Sequence, residues 1–128
     1  MLVEQKQARA AIAKVFKNRG LKPRKGHLRL SVGDLFWYVD VRSDGPAPTA
    51  ALTFEVGCWL PALSPEPEGG AVDCPLLLDI PAGEEPIAEA ESVVRLMQSA
   101  GDLDGLRELV ASVPGALVDR GLRTLIDQ

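Results

Sequence analysis

The chain has 128 residues, 46% of them hydrophobic, which is enough for one domain with its own core and no need of disulfide or metal staples. No apolar run approaches the ~20 residues of a membrane span, and Met1-Leu2-Val3-Glu4-Gln5-Lys6 carries no signal-peptide hydrophobic region, so a cytoplasmic location without a membrane partner is expected. The net charge of −4 hides a split: residues 1–30 hold nine Lys/Arg against Glu4 alone, while residues 31–128 hold five Arg, no Lys and seventeen acids.

Residues 3–19 predict a helix, because Ala8, Ala11, Ile12, Val15 and Phe16 recur on one face. Gly20 is placed to end it, with Leu21 folding back on Phe16. Residues 27–42 predict a β-hairpin around Gly33-Asp34. A two-residue turn sets Val32 opposite Leu35, Leu30 opposite Trp37 and Leu28 opposite Val39 on one face. The other face then pairs Ser31 with Phe36, Arg29 with Tyr38 and His27 with Asp40.

Residues 43–48 read as a loop. Residues 50–60 alternate, with Leu52, Phe54, Val56, Cys58 and Leu60 on one side, and residues 72–80 do the same with Val72, Cys74, Leu76, Leu78 and Ile80. Pairing these two strands symmetrically sets Cys58 opposite Cys74 and Phe54 opposite Leu78. The intervening residues 61–70, rich in Pro, Glu and Gly, read as an exposed, mobile loop. Pro75 cannot donate to a ladder, so the fourth strand is expected at an edge. Three helices follow, over residues 86–99, 103–112 and 116–126. The expected architecture is a single α+β domain spanning 1–128: an N-terminal helix, a four-stranded antiparallel meander and C-terminal helices.

No dinucleotide, Walker, nucleophile-elbow or zinc-protease motif occurs, and a single His with two cysteines excludes a Cys/His zinc site. No metal and no cofactor is expected. His27 and Asp40 are the one pair suited to general acid–base work, and the favoured reading of them is a solvated cross-strand ion pair. The two cysteines read as buried thiols, a cross-strand disulfide or a redox pair.

Two surfaces stand out. Lys14, Lys17, Arg19, Lys22, Arg24, Lys25 and Arg29 form a run of cations without an acid, which suits a phosphate backbone or a set of acids elsewhere in the fold, the C-terminal helices in particular. The face opposite the core-facing side of the sheet carries Phe36, Tyr38 and Trp59, with Leu77, among polar neighbours. Such a patch suits a protein partner or a second copy of the chain.

Three segments resemble a bacterial family of small domains of unknown function: the turn Gly20-Leu21-Lys22-Pro23-Arg24, the strand end Val39-Asp40-Val41-Arg42-Ser43, and the strand Phe54-Glu55-Val56-Gly57-Cys58-Trp59-Leu60-Pro61. The resemblance runs from Ala11 to Pro61. It implies an α+β domain, transfers no catalytic residue, and suits a bacterial accessory or interaction protein, by analogy one of the immunity type that neutralises a toxin. The sequence therefore leads to a non-catalytic protein-interaction domain using Phe36, Tyr38 and Trp59. The alternatives are a nucleic-acid-binding module using Lys14 to Arg29, and a small enzyme using His27 and Asp40.

Overall fold

The computed structural model describes residues 5–45 and 51–128. Residues 3–4 of the predicted first helix, 46–48 of the predicted loop and 50 of the predicted third strand lie outside the described residues. Among the described residues the fold is α+β, built on one antiparallel sheet whose six strands follow chain order: β1 (Lys22–Arg24), β2 (His27–Val32), β3 (Leu35–Ser43), β4 (Leu52–Trp59), β5 (Leu76–Pro81) and β6 (Leu117–Val118). Four helices among the described residues accompany it: α1 (Gln5–Asn18), α2 (Pro86–Gln98), α3 (Leu103–Ser112) and α4 (Arg120–Ile126). None of the described helices is long and apolar enough to cross a membrane.

Helix α1 turns Ala8, Ile12 and Phe16 inward. It ends as its sequence predicts: Leu21 N–H donates to the Phe16 carbonyl at 3.0 Å and Gly20 N–H to that of Lys17 at 3.2 Å. Helices α1 and α2 lie together on the inner face of the sheet. There Phe16 meets Phe54 edge to face at 5.8 Å, and Trp37 Nε1 donates to the Ala100 carbonyl at 3.0 Å. The inward positions of the strands, Trp37, Val39, Phe54, Val56, Cys58, Leu76 and Leu78, complete the core.

The β2–β3 hairpin has the register that its turn dictates, Val32 with Leu35 through Leu28 with Val39. Beyond the end of β2 the free edge of β3 is covered by α1: Arg9 donates to the Val41 carbonyl at 3.0 Å and to Ser43 Oγ at 2.6 Å.

The sheet differs from the predicted meander in five places. First, there are six strands rather than four. β1 is one of the additions, joined to β2 by Lys25 and Gly26, both with positive φ (53° and 83°), a type I′ turn. Three residues containing a proline carry no periodicity, and Pro23 is tolerated because β1 is the edge. Second, β4 and β5 pair two residues away from the symmetric register, so Cys58 faces Leu76 and Phe54 faces Ile80. Both cysteines are free, and Cys74 lies before β5 begins. Third, β5 is interior rather than an edge, because β6 pairs with it. Pro75 precedes the strand and uses its carbonyl, which accepts from Asp119 N–H at 2.9 Å.

Fourth, the last predicted helix is split into β6 and α4. Asp119 caps α4 by accepting from Leu122 N–H at 2.8 Å, so the helix starts after it. Helices consequently occur before, between and after strands. Fifth, residues 60–75 are not a free loop. They form a strap over the outer face of the sheet, with Pro67, Gly70 and Ala71 buried and a 3-10 turn at Gly70–Asp73.

Candidate functional site

The outer face gathers most of the residues singled out from the sequence. Phe36 and Trp59 are cross-strand partners, as are Tyr38 and Gly57. The strap reaches the sheet at Gly57, where the missing side chain admits it: a Cβ there would stand 2.6 Å from the Ala71 carbonyl oxygen. A glycine in the middle of an alternating strand marks this kind of close backbone approach. Gly70 (φ +71°) rests on the imidazole and carboxylate of His27 and Asp40, with no space for a Cβ.

Two carboxylates fasten the strap. The first is Glu66. Arg24 grips it with both ends of its fork, Nε to Oε1 at 2.6 Å and Nη2 to Oε2 at 2.9 Å. Arg29 Nη1 (3.3 Å) and the Tyr38 hydroxyl (3.2 Å) also donate to Oε1, and Lys25 Nζ stands 3.7 Å from Oε2. This set of donors holds the Glu66 carboxyl far below its ordinary value, at about 2, chiefly through the hydrogen bond from Arg24. Lys25 also pairs with Glu68 at 3.0 Å. The second fastening is Asp40, whose Oδ1 is 2.6 Å from His27 Nδ1 and whose Oδ2 accepts from Ala71 N–H at 3.1 Å.

The strap changes the expected aromatic surface. Tyr38 is buried, 1% exposed, beneath it. Phe36 and Trp59 are half-buried, 5.1 Å apart, with the Arg29 guanidinium 4.7 Å above the Phe36 ring. Trp59 Nε1 donates to the Ser64 carbonyl of the strap at 3.0 Å.

The basic run divides. Arg24, Lys25 and Arg29 are engaged by the strap, and Arg19 pairs with Glu91 of α2 at 2.8 Å. Among the described residues only Arg19 of this run pairs with a C-terminal helix, so the expected face-to-face pairing of the basic segment with those helices gives way to the strap carboxylates. Lys14, Lys17 and Lys22 are exposed and make no ion pair among the described residues.

The His27–Asp40 pair forms as the hairpin register predicts, half-buried beside a cleft of about 380 Å³ lined in part by Arg9, Phe16 and Val41. The carboxylate orients the imidazole through Nδ1. Among the described residues no Ser or Thr hydroxyl and no thiol bonds to this imidazole. The Cys74 thiol, which donates to the Gly70 carbonyl at 3.5 Å, is pushed up to about 12 by burial and by Asp73 and Asp40, so it is not a thiolate nucleophile at neutral pH. Among the described residues no cluster of three or more His, Cys, Asp or Glu is disposed to hold a metal ion.

Sequence reasoning gave no binding role to Glu66 or Gly70; it set Val72 inward on the fourth strand and Leu117 within the last helix, whereas Val72 lies exposed in the 3-10 turn of the strap and Leu117 exposed on β6. The signal available for the strap was Gly57, the one outward position in β4 without a side chain. No family model matches the chain, and no curated protein or solved structure matches it.

Proposed function

We propose that this chain is a non-catalytic protein-interaction domain that docks a basic protein partner at the β5–β6 end of the outer face. The observation that carries this reading is the exposure of Leu117, at 63%, beside Leu77 on the same face. Leu77 in turn pairs with Gly57, on which the strap rests, and Val72 of the strap is 51% exposed. Large aliphatic side chains left open on a sheet with a complete core on its other face are a feature of interaction surfaces. The exposed carboxylates Asp73, Asp79 and Asp119 neighbour these positions in the chain. They favour a partner with a basic rim and disfavour an acidic one.

On this reading the contact lies beyond Phe36, Tyr38 and Trp59, a choice supported by the strap that seals Tyr38 and by the contacts that engage the other two rings. In the bacterial immunity-type form of the reading, which the resemblance over Ala11–Pro61 supports by analogy, the partner is a toxin whose basic working surface is covered.

The test is photo-crosslinking in the cell. A benzophenone amino acid is placed at position 117, at position 72 and, as a control, at the exposed position 123 of α4. The expected result is one adduct shared by positions 117 and 72, formed with a protein of basic surface and weakened by Asp79→Lys. Equal adducts from position 123, or an adduct only between two copies of the chain, would overturn it.

A further inference from the structure

The donors around Glu66 form a site larger than the fastening of a surface strap needs. Two guanidinium groups, an ammonium and a phenol hydroxyl converge on one carboxylate. The bidentate grip of Arg24 is the geometry in which arginine takes a phosphate as readily as a carboxylate. The carboxylate that fills the site belongs to a segment with one short 3-10 turn and no other regular structure. Below it lies the buried ring of Tyr38, and on the same sheet face are the neighbouring rings of Phe36 and Trp59, 5.1 Å apart and tilted by 33°. Lys22, exposed and without an ion pair among the described residues, is the cross-strand partner of Arg29 and prolongs the line of cations.

We propose that Arg24, Lys25, Arg29 and Tyr38 form a phosphate-binding site for single-stranded nucleic acid, and that Glu66 occupies it as a built-in competitor. With the strap lifted, the face offers a track of cations beside flat aromatic rings. That is the combination by which single strands are held, phosphates on the cations and bases on the rings. A membrane headgroup would use the cations and leave the rings idle. A duplex has no unstacked base to offer them. With the strap closed, the Glu66 and Glu68 carboxylates offset most of the charge and Glu66 takes the Tyr38 hydroxyl, so affinity is suppressed in the resting protein. This inference does not rest on the docking patch, whose centre at Leu117 lies at the β5–β6 end of the sheet.

The test is fluorescence anisotropy with a short oligothymidylate. The wild type, E66A/E68A, and E66A/E68A carrying R24A and R29A are compared at low and high salt, with circular dichroism confirming that each is folded. Where E66A/E68A does not fold, E66Q, which keeps a hydrogen-bonding amide at the site, replaces it. The expected result is binding at least about tenfold tighter than wild type at low salt for E66A/E68A, with a log–log salt slope steeper by about 2 for three freed cations. The gain disappears with R24A and R29A. Oligothymidylate quenches Trp59 emission in E66A/E68A, and the quench is lost in a W59F version. A folded strap variant that binds no tighter than wild type would overturn the proposal. So would an equal gain for a heparin fragment or for anionic vesicles without any Trp59 quench, which would leave a general polyanion surface.

Discussion

Gly57 and Ala71 approach so closely that no side chain fits between β4 and the strap: a Cβ on Gly57 would meet the Ala71 carbonyl oxygen at 2.6 Å and the Cys74 sulfur at 2.8 Å. Backbone on one side and the half-buried Cys74 thiol on the other cannot move aside without lifting the strap. Gly57→Ala is therefore expected to destabilise the fold by about 1–3 kcal/mol, the usual cost of overpacking. The same variant should expose Trp59, whose indole is bonded to the strap at Ser64. A lower urea midpoint together with stronger iodide quenching of tryptophan emission is the expected pair of results. An unchanged midpoint would mean that the strap does not rest on β4.

The Glu66 fastening sets a pH dependence. The Glu66 carboxyl titrates at about 2 in the folded chain instead of its ordinary 4.5, because Arg24 hydrogen-bonds it and Arg24, Lys25 and Tyr38 favour its charged form. A depressed carboxylate contributes stability that is fully present above the unfolded value and is lost as the pH falls through the folded one. The urea midpoint of the wild type should exceed that of Glu66→Gln at pH 7 and above. The difference should shrink as the pH falls from about 4.5 and vanish near about 2. Denaturation of both proteins at pH 7, 4, 3 and 2 tests this. A difference that grows on acidification would contradict the assignment.

What could be read from the chain follows from how each feature is fixed. The β2–β3 register is set by a two-residue turn, so Gly33-Asp34 specifies every pair up to His27 with Asp40. The β4–β5 register is set by no turn, because the strap between the strands packs by itself. Alternation preserved which face each residue occupies, and a slip of two residues keeps that parity while changing every partner. β1 and β6 have three and two residues, too short for any period to show. The site was legible only in part. The His27–Asp40 pair follows from the turn, whereas the meeting of Glu66 with Arg24 joins positions 42 residues apart and depends on a strap whose path only Gly57 and Gly70 betray.

Trp37 ties the sheet to the end of α2. Its side chain is wholly buried, and its indole N–H bonds the Ala100 carbonyl at 3.0 Å, just past the last turn of the helix. Trp37→Phe removes part of a buried ring and leaves that carbonyl without its donor. The two losses together are expected to cost about 2–4 kcal/mol. Thermal unfolding should show a fall of several degrees with the secondary structure retained below the transition. A shift of less than a degree would show that water or a neighbour replaces the indole donor at no cost.

The two cysteines give independent probes of the core and of the strap. Cys58 points into the core between the inward positions of β4, and burial pushes its thiol far above the ordinary range. Cys74 lies at the foot of the strap over Gly57, and burial together with the neighbouring carboxylates Asp73 and Asp40 pushes it up to about 12. The thiolate is the reactive species, so a thiol-specific disulfide reagent at pH 8 should label neither residue in the native wild type and both in urea. The two should then separate when the strap is loosened. E66A/E68A removes the partners of Arg24, Lys25 and Arg29 and leaves the helices over Cys58 untouched, so Cys74 should become reactive while Cys58 stays protected. The order matters: opening of the strap is a local event that exposes one thiol, whereas unfolding of the sheet exposes both. Rapid labelling of Cys74 in the native wild type would show that the strap opens without help, and would remove the basis for treating Glu66 as its latch.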